Sequence, residues 1–198
     1  MLQWIKPCCK NTLYESFATI KERSQNKFLA SLAIINEGEK ILHISCGDGS
    51  LIRWLEEKYQ CSISGTTSLH ESICAMKLAI PKADVVYCHT EDIPWCDETF
   101  SVLLCSHLLS NISDPGKMLA SMMRVLKPGG QILIPITYSI FAPLHCSAHY
   151  FRSYSKLSYL RCKAMMLLEE TGFDTVTWHN HGLSGAAVVG WKPCSAMC

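Results

Sequence analysis

The chain has 198 residues, a formal net charge of +1 and an apolar fraction of 48%. That length is one domain's worth with room for a sizeable core, and the near-neutral charge excludes a disordered polyelectrolyte and a nucleic-acid binder built on a basic stripe. The amino-terminal residues lack an apolar run of signal-peptide length, and the most apolar stretch, around Ile132 to Leu144, is short and broken by Pro135 and Pro143. Neither a leader nor a membrane span is expected, and the reading is cytoplasmic.

In chain order, Phe17 to Ile35 carries Phe17, Ile20, Phe28, Leu32 and Ile35 at helical spacing and reads as one or two helices. Apolar strand-like runs follow at Ile41 to Ser45, Cys61 to Thr66, Asp84 to Cys88, Ser101 to Ser106 and Gln131 to Pro135. Helical periodicity fills the gaps at Leu51 to Lys58, Leu69 to Ile80 and Pro115 to Leu126. Such alternation predicts a mostly parallel sheet flanked by helices. Lys127-Pro128-Gly129-Gly130 reads as the stop of the last helix and the turn into the next strand. Thr137 to Lys156, rich in aromatics, histidine and serine, reads as an irregular excursion; Leu157 to Thr171 is a helix, and Phe173 to His179 with Ala186 to Trp191 form a hairpin.

The twelve cysteines form no Cys-x-x-Cys knuckle, and most fall within expected strands and helices, where a free thiol behaves as a small buried hydrophobe. Cys8-Cys9 beside a lysine has the look of a lipidated or reactive pair, and His145, Cys146 and His149 that of a metal site. Isolated matches of this kind are more often loop or core residues.

The stretch Ile41-Leu42-His43-Ile44-Ser45-Cys46-Gly47-Asp48-Gly49 is a buried strand emptying into a glycine turn and then a helix. Glycines there permit close approach of backbone to a nucleotide-like ligand, and the helix start offers unpaired N–H groups. A nicotinamide dinucleotide fingerprint would need a third glycine, where Ile52 stands, and an acid on the ribose, where Thr67 stands.

Three blocks together carry a family resemblance: this glycine stretch, Glu91-Asp92-Ile93-Pro94-Trp95-Cys96-Asp97-Glu98-Thr99-Phe100, and Asn111-Ile112-Ser113-Asp114-Pro115 followed by Arg124-Val125-Leu126-Lys127-Pro128-Gly129-Gly130. In order and spacing they resemble the class I S-adenosylmethionine-dependent methyltransferases, in particular the methyltransferase type 11 or ubiquinone/menaquinone methylase branch. The resemblance implies an α/β, Rossmann-like, seven-stranded, mostly parallel sheet with helices on both faces and a C-terminal antiparallel hairpin. It implies one domain over 1–198, with an N-terminal helical segment (1–40), a cofactor-binding half (41–136) and a substrate-side loop, helix and hairpin (137–198).

The resemblance also implies the site. Ser45, Cys46, Gly47, Asp48 and Gly49 would approach S-adenosylmethionine, Thr67 and Ser68 its ribose, His89, Thr90, Glu91 and Asp92 its adenine, and His107 its methionine end. This chain departs from the family in having His43, Thr67 and His89 at usually acidic positions and Ser45 at a glycine. A hydroxyl cannot make the charge-assisted, two-acceptor contact of a carboxylate to a diol. Each such bond contributes about 1.5 to 3 kcal/mol, so the neighbours Asp48, Glu91 and Asp92 are the expected replacements.

In-line methyl transfer needs donor and acceptor held together, water excluded and, for some acceptors, a base. His107, His145 and His149 are the candidate bases and Tyr150 a substrate contact, although a strand histidine such as His43 reads as core. The expected activity is methylation of a small-molecule acceptor, leaving S-adenosylhomocysteine, with no nucleic acid involved. The alternative is a methyltransferase-like domain with weakened cofactor binding that serves as a scaffold, beside a protein partner or a second copy of itself.

Overall fold

A computed structural model describes residues 24–46, 49–68, 73, 77, 80–105, 114–137, 153–182 and 185–194. Residues 24–32 are helical (α1). They are followed by β1 (Lys40–Ile44), α2 (Ser50–Tyr59), β2 (Ser62–Thr67), β3 (Asp84–Tyr87), β4 (Phe100–Cys105), α3 (Pro115–Val125), β5 (Leu126–Thr137), α4 (Ser153–Thr171), β6 (Asp174–Asn180) and β7 (Gly185–Trp191). Of the expected helix between β2 and β3, residues 73 and 77 are helical; most of the rest, like most of the excursion after β5, lies outside the described residues.

The seven strands form one sheet in the order β3-β2-β1-β4-β5-β7-β6. β1 to β5 pair in parallel, and β7 runs antiparallel between β5 and β6. Parallel strands need crossovers that cover both faces, so the central strands are apolar on both sides. Leu42 and Ile44 of β1 pack with Met118, Leu119 and Met122 of α3 and Leu168 of α4 on one face. Ile41 packs on the other with Leu51, Ile52 and Leu55 of α2 and with Leu29 and Ala30 of α1. The N-terminal helix is thus one layer of the sheet's cover, and its start is tied to the β6–β7 connection: Ser24 Oγ lies 3.1 Å from His181 Nε2, and Phe28 stacks on the same imidazole at 4.2 Å.

Local chemistry sets the helix ends. Asp114 caps α3 by accepting the Lys117 N–H at 3.0 Å, and Pro115 follows at the first turn, where its missing N–H costs nothing. The stop of α3 differs from the sequence expectation. The helix ends at Val125, before the Lys127–Gly130 run, and Leu126 is already extended and paired with Phe100. The next pair is Val102 with Gln131, so β5 uses five residues where β4 uses two, and the surplus forms a bulge. Gly129 takes φ +72° in it, and its N–H and the Gly130 carbonyl bond to Lys192 beyond β7. The glycines therefore kink a strand, and the helix is stopped by the pull of sheet pairing on Leu126.

Candidate functional site

β1 is flanked by β2 on one side and β4 on the other, and the chain leaves toward opposite faces from these strands. Such a reversal, at the carboxyl ends of β1 and β4, is the place where open α/β sheets bind ligands. The chain leaves β1 through Ser45, which holds φ +58°, a left-handed conformation that a residue with a Cβ adopts at a cost of about 1 to 2 kcal/mol. Three bonds to one residue enforce it. The Ser45 N–H donates to Thr66 Oγ1 at 3.2 Å, the Cys46 N–H to the Thr66 carbonyl at 2.9 Å, and the Cys46 thiol to that carbonyl at 3.1 Å.

This turn lies so close to β2 that a Cβ on Gly65 would stand 2.8 Å from Cys46 Sγ and 3.0 Å from Ile52 Cδ1. Any larger residue there would push Cys46 and Ile52 aside. Gly49, at φ +74°, then caps α2 without a side chain to engage the first N–H groups, and no acidic residue occupies the first turn. Those groups carry the positive end of the helix dipole at the start of α2, beyond the carboxyl end of β1. Gly47 and Asp48, between Cys46 and Gly49, lie outside the described residues.

At the end of β2, Thr67 is buried (4% exposed) and Ser68 is exposed. The Thr67 carbonyl accepts the Cys88 N–H at 3.2 Å, which ties the exit of β3 to that of β2. His89 is exposed and meets Tyr87 edge to face at 6.3 Å. Its carbonyl accepts the Asp92 N–H at 3.1 Å, closing a turn that carries Asp92 back beside Cys88. Glu91 accepts the Thr90 hydroxyl at 3.3 Å. Burial raises the Cys88 thiol above its ordinary 9.0, and the neighbouring Asp92 charge adds to the rise. Beside this turn, a depression of about 470 Å³ runs between Glu91, Asp92 and Ile93 on one bank and Lys117, Ser121 and Arg124 of α3 on the other.

Ser45, Cys46, Gly49, Thr67, Ser68, His89, Thr90, Glu91 and Asp92 thus line the same edge of the sheet, at the ends of β1, β2 and β3. His107, His145, His149 and Tyr150 lie outside the described residues. His43 sits within β1, 3% exposed, in register with Gly65 and Leu104, so it belongs to the sheet interior. Two residues escaped sequence reasoning. Thr66 holds the Ser45–Cys46 turn, but a strand threonine carries no sign of that task. Arg124 bonds the loop after the Glu91–Asp92 turn, and its only signal was membership of a recognisable block.

Among the described residues, no group of three His, Cys, Asp or Glu side chains is placed to hold a metal ion, and no helix is long and apolar enough to cross a membrane. The described cysteines form no disulfide with one another; Cys46, two residues beyond β1, and Cys105, the last residue of β4, belong to the packing on opposite faces of the sheet.

Residues 42–134 match the Methyltransferase domain family. The chain is 29% identical over 131 residues to the ubiquinone/menaquinone biosynthesis C-methyltransferase of Haemophilus ducreyi, an alignment covering 62% of this chain and 51% of that protein. The chain spans about half the length of the curated relatives it matches first. Among solved structures, a protein of Methanococcus maripaludis assigned as a candidate S-adenosyl-L-methionine-dependent methyltransferase superposes with a TM-score of 0.73 at 14% identity, covering 100% of both chains. A chain from the complex between the Haloferax volcanii Trm112 methyltransferase activator and a candidate methyltransferase superposes at 0.72 and 14% identity, covering 89% of this chain and 93% of that one.

Proposed function

The chain belongs to the class I S-adenosylmethionine-dependent methyltransferase family, and from that premise we propose that it binds S-adenosylmethionine in the crevice above β2, β1 and β4 and methylates a small-molecule acceptor. One observation carries the reading: the matched segment, residues 42–134, runs from β1 to β5 and so contains every strand that frames the crevice.

The residues present fit that cofactor. In this reading the Thr67 and Ser68 hydroxyls at the end of β2 would serve the ribose diol, the carboxylates of the turn from His89 to Asp92 an adenine amine, and the start of α2 behind Gly49 a carboxylate. When bound, S-adenosylmethionine supplies a methyl group on a cationic sulfur. The protein's share is to align that methyl with the acceptor, exclude water and take a proton where the acceptor carries one. We assign the last task to His107, His145 or His149, and an acceptor contact to Tyr150, on the strength of their places after β4 and β5 in the sequence.

Isothermal calorimetry of the protein with S-adenosylmethionine and with S-adenosylhomocysteine tests the reading. Micromolar binding of both is expected. No heat and no thermal shift at millimolar ligand would overturn it, leaving the scaffold alternative that His43, Thr67 and His89 at usually acidic positions motivate and the family match does not favour. A protein partner or second copy is then the next target; the Haloferax volcanii complex is the precedent for the former.

A further inference from the structure

Resting on the cofactor reading above, we propose that the buried side-chain amide of Gln25 donates to an oxygen of the methyl acceptor, which is therefore a small molecule carrying a carbonyl or carboxylate group. Gln25 lies in the first turn of α1 and is 7% exposed, and its Nε2 has no hydrogen-bond partner among the described residues. A buried donor left unpaired destabilises the fold, and native chains rarely keep one without a use. Gln131 is the contrast. It too buries an unpaired Nε2, but its Oε1 accepts the Ile34 N–H, so its side chain has a structural task. Among the described residues no bond gives Gln25 such a task. The amide nitrogen carries only donors, so the partner it lacks is an acceptor atom.

Placement selects the ligand. β5 pairs with β4 as far as Leu133 but with β7 as far as Thr137, so the β5–β7 pair continues four residues, about 13 Å, past its last pair with β4 at the carboxyl edge of the sheet. Gly185 stands at that end, opposite Thr137, and a Cβ built on it would lie 3.4 Å from Gln25 Nε2. In the proposed mode adenosine takes the ends of β2 and β3, on one side of β1, whereas β4, β5 and β7 follow in order on the other. The Gln25 amide is therefore at the carboxyl edge but across β4 from the adenosine, on the side left to the second substrate. It is also held there. Ser24 Oγ lies 3.1 Å from His181 Nε2, Phe28 stacks on the same imidazole, and the His181 N–H closes the β6–β7 connection on the Gly185 carbonyl at 2.9 Å. A donor fixed by its neighbours on both sides loses little freedom when a ligand arrives.

The test follows the side-chain amide signals of Gln25 by proton–nitrogen NMR, assigned by their loss in Gln25→Met, in protein saturated with S-adenosylhomocysteine. Acetophenone, benzoate and ethylbenzene are the probes: a carbonyl, a carboxylate and a hydrocarbon of similar size. Acetophenone or benzoate should shift the Gln25 signals and leave those of Gln131, assigned through Gln131→Met, in place; ethylbenzene should move neither. Gln25→Met keeps the length of the side chain and removes the donor. It should bind the better oxygen-bearing probe about threefold to tenfold more weakly and S-adenosylhomocysteine as wild type does. Gln25 signals that neither oxygen-bearing probe moves, or that ethylbenzene moves equally, overturn the inference, as does undiminished probe binding by Gln25→Met. If wild type does not bind S-adenosylhomocysteine, the cofactor reading itself fails and takes this inference with it; binding of S-adenosylhomocysteine with the Gln25 signals unmoved by the probes removes the inference alone.

Discussion

Arg124 of α3 donates from Nη2 to the carbonyl of Ile93 at 2.7 Å, joining two stretches 31 residues apart in sequence. Its Nη1 donates to the Trp95 carbonyl and to Asp97 Oδ1, both at 2.8 Å. The planar fork thus pins the loop that leads from the Glu91–Asp92 turn into β4. An ammonium cannot reproduce three bonds in that plane. Arg124→Lys should therefore lower stability by about 1 to 3 kcal/mol. Asp97→Asn should cost less than about 1 kcal/mol, because the Asp97 side chain is 72% exposed and its ion pair is screened. Urea midpoints of the two variants check the order; equal losses would mean that the ion pair, and not the carbonyl contacts, holds the loop.

The contact between Gly65 and Cys46 makes a second prediction. Gly65→Ala forces a methyl to within 2.8 Å of the sulfur and 3.0 Å of Ile52, overpacking that costs about 1 to 3 kcal/mol. Truncating Cys46 to alanine in the same chain removes the nearer atom and leaves the Cβ at 3.5 Å, an ordinary contact. The double variant should recover part of the loss, with a coupling of about 0.5 to 3 kcal/mol between the two sites. Purely additive destabilisation in thermal melts would place the strain elsewhere.

Gln25 and Gln131 look alike in composition and should respond in opposite directions. Each buries a side-chain Nε2 with no partner among the described residues. Gln131 Oε1, however, accepts the Ile34 N–H at 2.8 Å and fastens the segment just beyond α1 to β5, whereas no bond ties the Gln25 side chain among the described residues. Gln25→Met removes an orphaned donor and should stabilise by about 1 kcal/mol; Gln131→Met abandons the Ile34 N–H and should cost about 1 to 2 kcal/mol. Chemical denaturation of both variants decides, and a loss from Gln25→Met would show that its amide has a partner in the folded chain.

The architecture was legible because it is written in repeated local signals. Ile41 to Ser45 and Ser101 to Ser106, read as buried strands, correspond to β1 and β4 within a residue, and Pro115 marked the start of α3. The Gly129–Gly130 pair misled because a glycine beyond a helix looks the same whether it stops the helix or bends the next strand, and only pairing of Leu126 with Phe100 separates the two. At the site, periodicity placed the strand ends and so brought Ser45, Thr67 and His89 to one edge. It carried no information on Thr66, whose task depends on contact across the sheet, nor on the left-handed turn at Ser45, where residue type argues against the backbone observed.

The buried thiols make stability sensitive to alkaline pH. Cys105, fully buried at the end of β4, is pushed well above the ordinary thiol value of 9.0 by burial alone. Cys61 is raised too, chiefly by burial with the charges of Glu56 and Glu39 adding to it. A raised folded value means that the native chain keeps a proton which the unfolded chain releases. Stability from this source is complete below about pH 9 and falls as pH rises further, by at most about 1.4 kcal/mol per unit for each group. Cys105→Ala removes one such proton, so its urea midpoint should fall less between pH 8 and pH 10 than that of wild type. Alkylation gives an independent reading: exposed Cys96, Cys162 and Cys194 should react with iodoacetamide at pH 8 well before Cys88, and Cys105 only on unfolding. Asp92→Asn, by removing the neighbouring charge that raises the Cys88 thiol, should speed alkylation of Cys88 alone. An unchanged Cys88 rate would mean that the turn does not carry Asp92 back over the end of β3.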